Sequence, residues 1–183
     1  MVVVWVIVGL VALLLIWFFS TYNGLIVKKN RIDNSWAQID VQLKRRAELI
    51  PNLIETVKGY VKHERETLEA VTNARTAIMS AKGPREAARA DNMLTGALKS
   101  LFAVAESYPR LRANENFKML QEELSGTENK IAYARQFYND TVLEFNNSVE
   151  TFPGSVVAGI LGYKEREYFE VPESQKEPVK VKF

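Results

Sequence analysis

Eighteen consecutive residues, Val2 to Phe19 (VVVWVIVGLVALLLIWFF), carry no charge and no strongly polar side chain. As a helix rising about 1.5 Å per residue, such a run covers roughly 27 Å, close to the hydrocarbon thickness of a bilayer. A core helix of a small domain would place polar residues on one face, yet none occurs before Ser20. A cleaved signal peptide would have a basic segment before its apolar run and a small-residue cleavage site after it. Here no Lys or Arg precedes Lys28, Ser20-Thr21-Tyr22-Asn23 is a poor cleavage site, and no cysteine is available for lipoprotein processing. The stretch reads as a retained transmembrane anchor carried by Val2, Trp5, Leu10, Leu14, Trp17, Phe19 and Tyr22, with the aromatic rings near its two ends, where they favour the headgroup zone.

Beyond the anchor lies about one domain's worth of chain. Lys and Arg number 24 against 22 Asp and Glu, a mixed and solvated surface rather than the concentrated basic face of a nucleic-acid binder. With no cysteine at all, disulfides, thiolate metal sites and cysteine nucleophiles are excluded together. Lys28, Lys29, Arg31, Lys44, Arg45 and Arg46 all lie on the C-terminal side of the anchor. Because Lys and Arg are retained in the cytoplasm, the expected orientation is N-terminus out and domain in.

From Ile32 onward the apolar residues recur at helical spacing: Ile32, Trp36, Ile39, Leu43, Ile50, Leu53, Val57 and Tyr60, then Leu68, Val71 and Ile78. Pro51 interrupts only the hydrogen bonding, freeing the Ala47 carbonyl, and the stripe continues in phase across it. A kinked helix running from residue 2 to about residue 80 is expected, with Gly59 as a second soft point. Gly83-Pro84 ends it. An alanine-rich stripe (Ala87, Ala90, Leu94, Ala97, Leu98, Leu101, Ala105) forms a second helix that stops before Tyr108-Pro109. After a short turn over residues 110–114, a third long helix runs from about Phe117 past Phe145 to Phe152-Pro153-Gly154.

The fold class expected is therefore all-α: an N-terminal transmembrane helix continuing into an elongated antiparallel bundle of three long helices plus a short C-terminal helix. Residues 1–27 form the anchor and juxtamembrane segment, 28–169 the bundle, and 170–183 a disordered tail with two prolines and alternating charges. The short apolar segment Ser155 to Tyr163 is too short to span. It docks on the bundle or dips into the membrane surface.

Chemistry-bearing patterns are few. The single histidine, His63, heads His63-Glu64-Arg65-Glu66-Thr67, where a zinc-protease helix would need a second histidine at position 67. No nucleophile elbow, phosphate loop or dinucleotide glycine pattern occurs. Glu122 and Glu123 are neighbours on a helix and diverge. No catalytic residue, cofactor or metal is expected. Arg46 stands one heptad from Ile39 and from Leu53, where an apolar residue belongs, and Glu128 and Arg135 lie inside the last helix. Buried polar groups in bundles need partners and can fix register. Arg45 or Arg46 pairs with Glu123 or Glu128 across helices, or else all of these, with Arg135, sit on solvated edges. Trp36, Leu43, Ile50, Pro51 and Tyr60 mark a face for packing or for a partner.

Several of these segments together resemble the LemA family. The resemblance rests on Tyr22-Asn23-x-Leu25, on Trp36-x-Gln38-Ile39-Asp40-Val41-Gln42-Leu43-Lys44-Arg45-Arg46-x-x-Leu49-Ile50-Pro51-Asn52-Leu53, and on Val57-Lys58-Gly59-Tyr60. It continues through His63-Glu64, Ala74-Arg75, Asn116-Phe117-x-x-Leu120-Gln121-x-Glu123-Leu124-x-x-Thr127-Glu128-Asn129, Ala134-Arg135 and Phe152-Pro153. It implies a bacterial protein with one N-terminal membrane helix and an all-helical domain, loosely associated with envelope homeostasis and membrane proteases, and with no agreed activity.

The sequence thus predicts a single-pass, membrane-anchored scaffold of the bacterial inner membrane that self-associates or recruits other membrane proteins. The alternative is an adaptor or regulator of a membrane protease or sensor, acting as a monomer through residues 36–60. The lipid bilayer is the expected partner, and neither nucleic acid nor a small-molecule substrate is.

Overall fold

The computed structural model describes residues 1–61 and 64–170, so His63 and the tail beyond Glu170 lie outside the described residues. The chain is all helical among the described residues: α1 (Val2–Lys58), α2 (Arg65–Ser80), α3 (Pro84–Ala105), α4 (Pro109–Ala113), α5 (Glu115–Glu150) and α6 (Gly154–Leu161). Local sequence explains most boundaries. Pro84 and Pro109 open α3 and α4 at positions where a missing N–H costs nothing. Asn114 precedes α5 and accepts the Phe117 N–H at 3.0 Å, an N-cap that satisfies one orphan donor of the first turn.

The first helix differs from expectation at its far end. It holds its course through Pro51 but stops at Lys58, and the stripe Leu68, Val71, Ile78 belongs to a separate helix. Gly59 is the cause: glycine costs about 1 kcal/mol in a helix interior relative to alanine. There the N–H groups of Tyr60 and Val61 both turn back to the Val57 carbonyl, at 2.9 and 3.1 Å. Residues 47 and 75 would stand roughly 42 Å apart on one unbroken helix. Instead the Arg75 Nε–H reaches the Ala47 carbonyl at 3.1 Å, so α2 doubles back along α1. Doubling back lets Val71, Ala74 and Ile78 bury in the bundle, which a straight continuation would leave bare. The segment expected as a turn at 110–114 contains the single turn of α4, pinned by buried Leu111.

Two compact units are present. The first contains residues 1–36 and 137–167. Its core is Leu25, Ile32, Tyr138, Val142, Phe145, Val157 and Ala158, all nearly inaccessible. The antiparallel pairing of α1 with the end of α5 is set by Ser35 against Thr141 (3.1 Å), Arg31 against Glu144 (3.3 Å), Lys28 against Ser148, and the edge-to-face rings of Trp36 and Tyr138. The chain after α6 then runs back along α5. Asn146 clasps both backbone groups of Arg166, at 2.8 and 3.0 Å, and the Tyr138 hydroxyl donates to the Glu167 carbonyl at 2.9 Å.

The second unit contains, among the described residues, 37–136 and 168–170. Its buried apolar side chains include Ile39, Leu43, Ile50, Leu53 and Val57 of α1, Val71 and Ala74 of α2, Leu94, Leu98 and Leu101 of α3, and Leu120, Leu124 and Ile131 of α5. The apolar start of α1 has a different fate. Its most apolar 18-residue window has a mean hydropathy of 3.0 and is 0% buried, so it is no core helix. The same helix continues without a break into the buried positions Leu25 and Ile32. By length and composition it is long and apolar enough to cross a membrane.

Candidate functional site

Arg46 is the largest fully buried side chain of the second unit, 1% exposed. The helical spacing of α1 fixes it on the inward stripe between Leu43 and Ile50. An arginine cannot shed its proton, so at such a site its charge must be met. Asp91, projecting from the alanine-rich face of α3, meets it at 2.6 Å, and the Thr95 hydroxyl accepts a second bond from the same nitrogen at 3.1 Å. Glu128 of α5 approaches the other terminal nitrogen at 3.4 Å, with half its side chain in solvent. Three helices are thereby joined through one guanidinium. Its Nε–H is buried without a hydrogen-bond partner, as is the Gln42 Oε1 one turn earlier. Burial pushes the Asp91 carboxyl above the usual carboxylate range, more than the Arg46 guanidinium pulls it back, and the charges of Glu128 and Arg135 act in opposite senses on it.

Arg45, the adjacent residue, faces the other way. It reaches Glu123 at 3.3 Å with both side chains about half exposed, a pair worth little in water. Of the polar residues singled out in sequence, the structure thus brings Arg46 to Glu128 and Arg45 to Glu123, and sets Arg135 close enough to bias Asp91. Sequence reasoning misses the main partner, Asp91. A signal for it exists: an acid spaced four residues after Ala87 and three before Leu94, on the stripe that otherwise carries only apolar side chains.

Pro51 organises a second feature. Lacking an N–H, it leaves the Ala47 carbonyl without its helical donor, and the Arg75 bond from α2 supplies one. Beside it lies an open groove of about 440 Å³ lined by Pro51, Ile54, Glu55, Lys58, Thr72 and Arg75. Leu43 and Ile50 are core residues, whereas Pro51 and Tyr60 are exposed, with the Tyr60 hydroxyl accepting from Asn114 at 3.0 Å. Trp36 is half buried against Tyr138. The five residues therefore split between packing and surface. Of the anchor residues, Val2, Trp5, Leu10, Leu14 and Phe19 are exposed, and Trp17 and Tyr22 half buried. Among the described residues no three His, Cys, Asp or Glu side chains converge in the manner of a metal site.

Among known proteins, the LemA family model matches residues 35–183 of the chain. The chain is 27% identical to Protein LemA of Metamycoplasma hominis over 158 residues, covering 84% of this chain and 71% of that one. It is 22% identical over 184 residues to magnetosome protein MamQ 2 of Paramagnetospirillum magneticum, covering 86% and 68%. Against magnetosome protein MamQ of Magnetospirillum gryphiswaldense it is 31% identical over 80 residues, 44% of this chain and 29% of the relative. None of these relatives carries an enzyme's name.

Proposed function

The chain belongs to the LemA family, and from that premise we propose that it is a non-catalytic scaffold of the bacterial inner membrane, self-associating or gathering other membrane proteins at the cytoplasmic surface. The observation that carries this reading is the continuity of α1. One helix of 57 residues bears both the exposed apolar span and the arginine that ties three helices of the bundle together. A buried ionic centre of this kind is a device for fixing which helices pack and in what register, and it offers no open coordination site or nucleophile. That the chain resembles both relatives named for the magnetosome and one that is not supports a task set by partners rather than by fixed chemistry. The charges that follow the anchor support the cytoplasmic side.

The absence of native cysteine makes the test clean. Tyr133 stands 77% exposed on α5, so a Tyr133→Cys variant of the full chain carries one surface thiol. Thiol crosslinking in native membranes yields mainly homodimers if the protein is a scaffold of its own copies. The groove beside Pro51 favours a second reading, an adaptor that grips a partner segment. In that case crosslinks from Glu55→Cys go mainly to another protein and Tyr133→Cys gives no homodimer.

A further inference from the structure

Within the first unit, α6 does not look like the outer helix of a water-soluble bundle. Gly154, Val157 and Ala158 are buried, as expected for the inner face of a short docked helix. The outer face is Val156, Gly159 and Ile160, with Val156 and Ile160 47% and 67% exposed, and Phe152 just ahead is 79% exposed. No charged residue occurs between Glu150 and Lys164. A surface helix normally turns polar residues outward, so the apolar outer face needs an occupant.

The position of the segment says what that occupant is. Ser148, at the end of α5, is bonded to Lys28 of α1, and four residues later the Phe152 ring stacks on Trp17, ring centres 6.4 Å apart. Trp17 lies two residues from the end of the eighteen-residue apolar run. The turn leading into α6 is therefore level with the end of the apolar run of α1, and its exposed apolar side chains lie next to the exposed apolar surface of that run. The backbone suits that place too. The Tyr163 N–H closes on the Ala158 carbonyl at 2.9 Å and the Gly162 N–H on the Gly159 carbonyl at 3.3 Å, while Gly162, at φ +68°, takes the left-handed conformation this closure needs. Carbonyls that would otherwise call for water are satisfied within the turn. Lys164 comes directly after, and the chain then returns along α5.

We propose that Phe152 and α6 are a second membrane contact: an interfacial helix that lies in the same leaflet as the C-terminal end of the anchor, with Phe152, Val156 and Ile160 in the acyl region. The inference rests on the reading of α1 as a membrane span. It gives the protein two points of attachment, one crossing the bilayer and one lying on it, which hold the α1–α5 pair of this unit in a defined orientation to the surface.

The test uses the full chain in nanodiscs of phosphatidylethanolamine and phosphatidylglycerol, one copy per disc, with a spin label on single cysteines at Leu14, Val156, Ile160 and Glu165. Oxygen partitions into lipid and a nickel chelate into water, so their relative access reports depth. At Val156→Cys and Ile160→Cys the oxygen-to-chelate ratio should exceed that at Glu165→Cys severalfold, approaching that at Leu14→Cys. Both positions are exposed, so each label serves as a check on the other should one disturb folding. If Leu14 reads as lipid while 156 and 160 match Glu165, the proposal is overturned and the anchor stands. If Leu14 also reads as water, the anchor reading itself has failed. Dipolar broadening at 156 and 160 in crowded vesicles that vanishes on dilution with unlabelled chain, together with a watery reading in the nanodisc, would assign the face to a second copy and also overturn the proposal.

Discussion

The Arg46–Asp91 pair makes an asymmetric prediction. The two side chains are 1% and 8% exposed and 2.6 Å apart. Replacing Asp91 by leucine leaves a guanidinium that cannot deprotonate, with the Thr95 hydroxyl and the half-exposed Glu128 as its remaining partners. Removing one partner of a buried pair in this way costs about 3–5 kcal/mol. Replacing Arg46 by methionine is milder, because the stranded Asp91, already raised in pKa by its burial, can take up a proton and become a neutral acid. Its pKa then rises further, so the folded state binds that proton more tightly than the unfolded one. The stability of Arg46→Met is accordingly greatest in acid and declines as pH rises through the folded pKa of Asp91. The double variant Arg46→Met/Asp91→Leu replaces the pair with apolar volume and should return to within about 1 kcal/mol of wild type. For a chain of this size each kcal/mol moves the midpoint by about 2–4 °C, so Asp91→Leu should melt roughly 10 °C lower. Circular dichroism melts of the full chain in detergent read all three. A loss below about 1 kcal/mol in Asp91→Leu, or a double variant as unstable as the sum of the singles, would refute the account of the buried centre.

Other expectations are simpler. Arg75→Met removes the donor to the Ala47 carbonyl freed by Pro51 and should cost about 1–2 kcal/mol; restoring a helical donor with Pro51→Ala in the Arg75→Met background should recover part of it, seen in the same melts. A β-carbon at Gly154 would sit against the Ser148 carbonyl, closer than any van der Waals contact. Gly154→Ala should therefore loosen α6, raising hydrogen exchange over residues 154–163. The Tyr138 hydroxyl is pushed up to about 12, first by burial. As an acid whose folded pKa is raised, it contributes stability that is complete below about 10 and lost as pH climbs from there through about 12, so tyrosinate absorbance should show a late step that Tyr138→Phe removes. Glu123→Ala, by contrast, breaks only the half-exposed pair with Arg45 and should change the midpoint little.

Much of this architecture is written in local pattern. The anchor reading follows from eighteen uncharged residues, and the helix ends at Gly83-Pro84 and Phe152-Pro153-Gly154 follow from residues that favour helix termini. Pro51 is legible as compatible with a continuous α1, because the stripe keeps its phase. The stripe does not reveal the reversal at Gly59. Helical phase is the same whether a helix runs on or folds back, and only the tertiary bond from Arg75 to Ala47 distinguishes the two. The buried arginine announces itself by sitting between Leu43 and Ile50, and Asp91 by sitting on the apolar stripe of α3, but the two lie 45 residues apart and local pattern alone does not pair them. The apolar outer face of α6 can be read from the sequence as buried or as lipid-facing. The stacking of Phe152 on Trp17 is the observation that supports the lipid-facing reading.

The central claim is that copies of this chain, each anchored through α1, assemble at the membrane. Counting photobleaching steps of the full chain carrying a C-terminal fluorescent protein, expressed at native level in its own membrane, tests it most directly. The scaffold reading predicts spots that bleach in two or more steps, against single steps for a control bearing residues 1–27 alone. Single-step bleaching of the full chain throughout the membrane would contradict it.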